Sequence, residues 1–222
     1  IQLLNSANKQ DLLQALQFEK LGVHVFYTRQ SEQKGLGHAV LCGENFAGEQ
    51  PFVVALGDSI IGLHGNARCV SQMIALFEER KASCVVAVEE VPPEDISKYG
   101  IVDVVPGGDS WFRVTDLVEK PAPERAPSRL AIAGRYVFSP TIFDMIREVQ
   151  PDASGEIQLT DAIRLLCEEG RRVLAYKLPP GERRFDIGNF ASYFQTFVEF
   201  ALADPEYGPS LKAVLSGMLG SR

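Results

Sequence analysis

Long apolar runs are missing from this sequence: no stretch approaches the roughly 20 residues that a membrane-spanning helix requires. A surplus of basic side chains is missing as well, since 22 Lys and Arg face 29 Asp and Glu, for a formal charge of -7. That balance argues against an electrostatic nucleic-acid binder, because neutralising phosphates takes a concentration of cations. Cysteine is sparse and unclustered: Cys42, Cys69, Cys84 and Cys167 stand singly with no CxxC pair, so reduced thiols are expected rather than disulfides or metal ligands. The histidines His24, His38 and His64 show no metal-ligand spacing. A signal-peptide pattern is absent too, Gln2, Asn5, Ser6 and Asn8 interrupting any apolar stretch at the start. These absences leave the expectation of a cytoplasmic protein without nucleic-acid or membrane partners.

What is present is an ordinary globular composition, 45% hydrophobic and 23% charged over 222 residues, enough to bury a sizeable core. Short β-branched or aromatic runs at Val23 to Thr28, Phe52 to Leu56 and Cys84 to Val88 read as strands covered on both faces. Helical spacing follows Gly37 to about Phe46 and recurs over Ala67 to Arg80, where Val70, Met73, Ile74 and Phe77 share a face. After Val91 the prolines and glycines multiply and strand-like segments at Ile101 to Val105, Trp111 to Val118 and Ala131 to Phe138 follow without helices between them, which predicts an antiparallel excursion. Helices are expected again at Pro140 to Val149 and Glu156 to Glu169, then a strand at Val173 to Leu178 and helices at Phe190 to Ala203 and Pro209 to Leu219. The pattern predicts one α/β domain over 1–189, with a Rossmann-like mixed, mainly parallel sheet and flanking helices. The C-terminal helices of 190–222 carry Phe190, Tyr193, Phe194, Phe197 and Phe200, more aromatic surface than a solvated helix needs. They are expected to pack on the domain, with a subunit interface of a homo-oligomer, dimer or tetramer, as the alternative.

Several motifs carry chemistry. Leu56-Gly57-Asp58-Ser59 follows an apolar strand, and ligands of open α/β sheets collect beyond the carboxyl ends of strands. Asp58 there is either a hard oxygen ligand suited to Mg²⁺ or a turn aspartate. Asp186, in Arg184-Phe185-Asp186-Ile187-Gly188, is either a second metal carboxylate on the same sheet edge or an Asx-turn residue. Glu119 and Lys120 close a strand before Pro121. The lysine suits a phosphate and the glutamate suits sugar hydroxyls, whereas a solvated edge pair would be worth little. Gly35-Leu36-Gly37-His38 before a helix reads as an anion- or base-facing backbone or as plain loop glycines. Gly155 to Asp161 opens a helix either structurally or as a substrate contact.

Taken in order, Gln30, Gly35-Leu36-Gly37-His38-Ala39-Val40, Leu56-Gly57-Asp58, Tyr99-Gly100-Ile101-Val102, Val118-Glu119-Lys120-Pro121, Ile132-Ala133-Gly134-Arg135-Tyr136, Gly155 to Asp161 and Phe185-Asp186-Ile187-Gly188 closely resemble the bacterial UTP:glucose-1-phosphate uridylyltransferases, a branch of the sugar-nucleotide pyrophosphorylases. The resemblance runs from about Tyr27 to Pro205. It implies synthesis of UDP-glucose and pyrophosphate from UTP and glucose 1-phosphate, with Gln30 and Gly35 at the uracil, and Asp58 and Asp186 on Mg²⁺. It also implies Gly100 and Glu119 at the sugar, and Lys120 at the sugar phosphate. A sibling enzyme for another sugar or base, or a non-catalytic sugar-nucleotide-binding module, are the alternatives. The family's glycine-rich GxGTR-type loop and Pro-Lys segment have no counterpart in these residues, so the chain is expected to be the greater part of a longer protein.

Overall fold

The computed structural model describes residues 22–63 and 67–220; Gln2, Asn5, Ser6, Asn8 and His64 lie outside them. Contacts divide the chain into two units, Ile1–Ser31 and Glu32–Arg222. Residues 22–31 of the first unit carry no strand, which corrects the expectation at Val23 to Thr28. Val23, Val25, Phe26 and Tyr27 are all exposed there. A β-branched run becomes a strand only where a neighbour takes up its backbone hydrogen bonds and side chains.

The second unit is built on six strands: β1 Phe52–Ala55, β3 Cys84–Glu90, β4 Gly100–Pro106, β5 Trp111–Glu119, β6 Leu130–Phe138 and β7 Val173–Lys177, in the order β1-β6-β3-β7-β5-β4. Four of the six, β1, β3, β7 and β4, run one way, and β6 and β5 run against them. The sheet is therefore mixed with one prevailing direction, and the two reversed strands belong to the proline-punctuated stretch where an antiparallel excursion is expected. β3 and β7 are the adjacent parallel pair.

Strand β3 sits at the centre because Cys84 to Val88 offer nothing but apolar surface to both faces. Cys84, Val86 and Val88 pack with Phe138, Ile142, Ile146, Ile163 and Leu166 on one side. Val85 and Ala87 pack with Met73, Phe77, Val137 and Leu174 on the other. The first side is covered by helices α4 Ile142–Glu148 and α5 Leu159–Glu168, the second by α3 Cys69–Arg80. In α3 the buried residues Cys69, Met73, Leu76 and Phe77 recur at the helical spacing that makes one apolar stripe. Strand β1 departs from expectation: it lies at the edge of the sheet with alternate residues exposed, Val53 among them, rather than covered on both faces. Helix α1 covers Gly35–Leu41 and α2 Glu44–Ala47, a pair interrupted at Cys42 and Gly43. Two further helices, α6 Phe190–Ala203 and α7 Gly208–Gly220, close the chain. Asn189 caps α6, its side chain accepting from Ser192 N at 3.0 Å.

Cys69 and Cys84 are buried, and all four cysteines are free thiols. Burial pushes the Cys84 thiol well up and that of Cys69 to about 11, so neither offers a thiolate nucleophile at neutral pH. No described helix is long and apolar enough to cross a membrane.

The packing gives a direct test. Phe138 is fully buried and its ring lies 5.5 Å from that of Tyr136 and 5.9 Å from that of Phe52. Phe138→Ala is expected to lower stability by about 3–5 kcal/mol. Val214→Ala, on an exposed face of α7, should change it by less than about 0.5 kcal/mol. Urea unfolding followed by circular dichroism measures both.

Candidate active site

A bulge in β6 sets up one side of the site. Opposite β3, the register slips so that Val86 faces Tyr136 but Val88 faces Ile132; bulges of this kind re-aim side chains. Within the bulge Gly134 takes φ +70°, and a Cβ there would stand 3.1 Å from Ser59 Oγ, so glycine meets both demands. The next residue, Arg135, reaches across to the loop after β1, donating to Leu56 O at 3.1 Å and to Ser59 O at 2.6 Å. Ser59 Oγ donates to Ala133 O at 3.2 Å. The loop carrying Asp58 is thus fixed from both ends.

Two short strands, β2 Ser59–Ile61 and β8 Arg184–Asp186, then pair antiparallel with Ser59 opposite Asp186. Neither stands among the expected strands, because three residues carry no readable period. Their pairing, extended by Ile187 N donating to Asp58 O at 2.8 Å, brings the two aspartates together. A Cβ on Gly188 would lie 3.2 Å from Asp186 Oδ1 and 3.3 Å from Asp58 Oδ2, so both carboxylates converge on a backbone position that has no side chain. Asp186 Oδ1 also accepts from Gly188 N at 2.8 Å, so its Asx-turn reading and its site reading hold together.

The other side of the site is the start of β4 and the end of β5. Gly100 pairs with Glu119, and a Cβ on Gly100 would meet Glu119 Oε2 at 3.1 Å and Thr160 Oγ1 at 3.2 Å. Thr160, buried in the first turn of α5, donates to Glu119 Oε2 at 2.6 Å. Lys120 Nζ lies 3.7 Å from Glu119 Oε1. The lysine backbone has φ 44°, uncommon for a residue with a Cβ, and its N–H donates to Tyr99 O at 3.1 Å.

A cleft of about 250 Å³ opens between these sides, lined among others by Asp58, Tyr99, Gly100, Glu119, Lys120 and Asp186. Five of the expected site residues, Asp58, Gly100, Glu119, Lys120 and Asp186, therefore share one cavity. Gly35 stands just off it and its neighbour Leu36 lines it. At φ +84° the Gly35 Cα approaches the chain so closely that a Cβ would sit 2.8 Å from Ile157 O, and Gly37 N donates to Ile157 O at 2.9 Å. Gln30 belongs to the unit that ends at Ser31.

Residues without an expected role also contribute. Lys98 and Tyr99 line the cleft. Tyr99 OH donates to Asp186 Oδ2 at 3.2 Å, and burial, first, raises the pKa of that hydroxyl. Arg184 stacks its guanidinium 3.9 Å from the centre of the Tyr99 ring and donates through Nε to Glu89 Oε1 at 2.7 Å. Tyr99 and Arg184 stand inside motifs quoted above. Glu89 gave one faint signal, a carboxylate at the end of an otherwise apolar strand.

The donor set fits a hard divalent cation. Two carboxylates meet with no thiol or imidazole beside them, and no cluster of three or more His, Cys, Asp or Glu occurs among the described residues. A divalent cation held by two carboxylates would take its remaining ligands from water or phosphate oxygens.

Residues 1–201 match the model of the nucleotidyl transferase family, and the chain belongs to that family. Within it, the chain is 41% identical over 212 residues to the UTP–glucose-1-phosphate uridylyltransferase of Staphylococcus epidermidis, covering 96% of this chain and 72% of that protein. Among solved structures it is similar to a UTP-bound UGPase from Acinetobacter baumannii, with a TM-score of 0.82, 32% identity and coverage of 96% and 73%. It is likewise similar to a UDP-glucose pyrophosphorylase complexed with UDP-glucose, with a TM-score of 0.72, 38% identity and coverage of 77% and 64%.

The loop before α5 carries a pH dependence. Asp152 gathers hydrogen bonds from Ser154, Gln158 and the Glu156 backbone, which hold its carboxyl below the ordinary carboxylate range. The ionised form is the one that folds the loop, so its contribution is complete above the ordinary value of 3.8 and fades as pH falls below it. Asp152→Asn is therefore expected to unfold at lower urea than the wild type at neutral pH. The two midpoints should converge as pH drops through 3.8 and below, and a gap that ignores pH would rule this origin out.

Proposed function

We propose that the protein joins UTP and glucose 1-phosphate into UDP-glucose and pyrophosphate. The observation that carries the reading is the convergence of Asp58 and Asp186 on one side of a cleft whose other side is Gly100, Glu119 and Lys120. The family and the uridylyltransferases to which the chain is similar supply the substrates.

In this reading a phosphate oxygen of glucose 1-phosphate attacks the α-phosphorus of UTP in line. One P–O bond forms as the bond to the β-phosphate oxygen breaks and pyrophosphate leaves. No side chain needs to act as base, because a phosphate monoester is already an anionic nucleophile at neutral pH. Lys120 neutralises the sugar phosphate as a compact point charge. Glu119, held by Thr160, accepts from sugar hydroxyls, and the bare Cα of Gly100 lets the ring approach the backbone. Gly35 contacts the uracil. Asp58 and Asp186 hold Mg²⁺, which when bound spreads the charge that develops on the phosphates. Catalysis then rests on positioning and on preorganised charge.

The same reading places the protein in the cytoplasm, where its nucleotide substrate is found. The region 1–189 carries the chemistry, and the helices of 190–222 either pack on it, as Phe200 does against Phe185, or form the subunit interface of a dimer or tetramer. Supporting the latter, α6 exposes Phe190, Phe194 and Phe197, and Phe190 stacks on Phe194 within the helix.

Pyrophosphate release from UTP, glucose 1-phosphate and Mg²⁺ tests the activity; turnover is expected with this pair above other nucleotides and sugar phosphates. Absence of turnover across such a panel, with UDP-glucose still bound in calorimetry, would assign a binding module instead. Asp58→Asn keeps the backbone carbonyl that receives Ile187 N, so the fold should persist. Turnover should fall roughly 100-fold or more, the worth of a few kcal/mol of charge stabilisation. Unchanged turnover at saturating Mg²⁺ would remove Asp58 from the metal.

A further inference from the structure

Both oxygens of Asp186 are engaged: Oδ1 accepts from the backbone of Gly188 and Oδ2 from the hydroxyl of Tyr99, at 2.8 and 3.2 Å. The first bond comes from the same turn and follows it wherever it goes. The second comes from a residue 87 positions earlier in the chain, so it ties the carboxylate to the rest of the cleft. Tyr99 is itself clamped. Its ring lies 3.9 Å under the guanidinium of Arg184, which stands two residues before Asp186 on β8 and so projects from the same face of the strand. Arg184 is 8% exposed as a side chain and Glu89 17%, and the pair is joined at 2.7 Å. The second oxygen of Glu89 accepts from Arg184 N at 3.2 Å. One carboxylate from β3 therefore fixes both the backbone of β8 and the side chain that presses on Tyr99.

Pairs of this kind are weak contributors to stability, since desolvating both ions offsets most of their attraction. Here the burial ends on a carboxylate of the cleft. Partners in the outer shell of metal carboxylates and imidazoles set their orientation. We propose that Tyr99 is a positioning residue that sets the Asp186 carboxylate for the divalent cation, and that the Glu89–Arg184 pair acts on the same carboxylate by fixing the Tyr99 ring. The backbone of Tyr99 extends the tie to the other side of the cleft, since its carbonyl receives the N–H of Lys120 at 3.1 Å. A single residue thereby links the metal carboxylate to the lysine that meets the sugar phosphate. The inference rests on the metal reading of the proposed function.

The test uses Mn²⁺ as the probe, titrated into the full chain saturated with UDP-glucose and read by the electron paramagnetic resonance of the free ion. Tyr99→Phe removes only the hydroxyl and keeps the ring under Arg184. It is expected to weaken Mn²⁺ binding about tenfold and to raise the Mg²⁺ concentration for half-maximal turnover by a similar factor. The KM for glucose 1-phosphate should stay within about twofold, the signature of a role at the metal rather than at the sugar. Glu89→Gln, which leaves an amide to accept from Arg184, should weaken Mn²⁺ binding in the same direction. Asp186→Asn serves as the reference for loss of the ligand itself. If Asp186→Asn weakens Mn²⁺ binding while Tyr99→Phe binds it as the wild type does, the positioning role is overturned and the metal reading stands. If the wild type binds no Mn²⁺ in that complex, or Asp186→Asn binds it unchanged, the metal reading falls and this inference with it.

Discussion

The antiparallel pairing of β2 with β8 joins residues from distant parts of the chain, with Ser59 opposite Asp186 and Ile61 opposite Arg184. The arrangement of the cleft depends on it. A two-stranded ribbon of this length has marginal stability by itself, so it persists because its flanks are held. Arg135 and Ser59 tie the first strand to the bulge of β6, and Glu89 ties the second to the end of β3. Both anchors descend from the large sheet. The order of dependence thus runs from the apolar burial of β3, through the polar clips at its end and at the β6 bulge, to the ribbon and its two carboxylates.

The cleft also shows a division of labour between rigid and adaptable groups. Glu119 is fixed by a buried threonine at 2.6 Å, and Gly100 leaves only tight room for a Cβ, 3.1 Å from Glu119 Oε2. Lys120, by contrast, has a restrained backbone and a side chain that is 60% exposed. The cleft thus combines a preorganised carboxylate with an exposed cation, whose attraction for an opposite charge falls off slowly with distance.

Much of the fold was legible because its central elements have strong periods. The runs at Cys84 and Ala131, and the helical stripe of Met73 and Phe77, announce themselves through apolar residues that bury on folding. Val23 to Thr28 misled because β-branched residues favour a strand only in the right tertiary context, which the run itself does not encode. β2 and β8 were illegible because three residues contain too little pattern, and the register that unites Asp58 with Asp186 is a property of tertiary pairing alone. In the site, Asp58 and Glu119 could be picked out as carboxylates at strand ends, but each kept an ordinary structural reading. The roles proposed for them come from the family wording, which is information about chemistry that residue type and spacing do not contain. Thr160 and Tyr99 stand inside quoted motifs and Glu89 at the end of an apolar strand, but their contacts with Glu119, Asp186 and Arg184 are tertiary and leave no mark in the sequence.

The left-handed backbone at Lys120 has an evolutionary consequence. A side chain with a Cβ in that region costs on the order of 1 kcal/mol, and glycine or asparagine would sit there with less strain. Natural or laboratory selection for robustness alone would therefore drift away from lysine at this position, while selection for the chemistry would restore it. The position should behave as a ratchet between the two pressures, and lineages or libraries that relax the second would be recognised by what replaces Lys120.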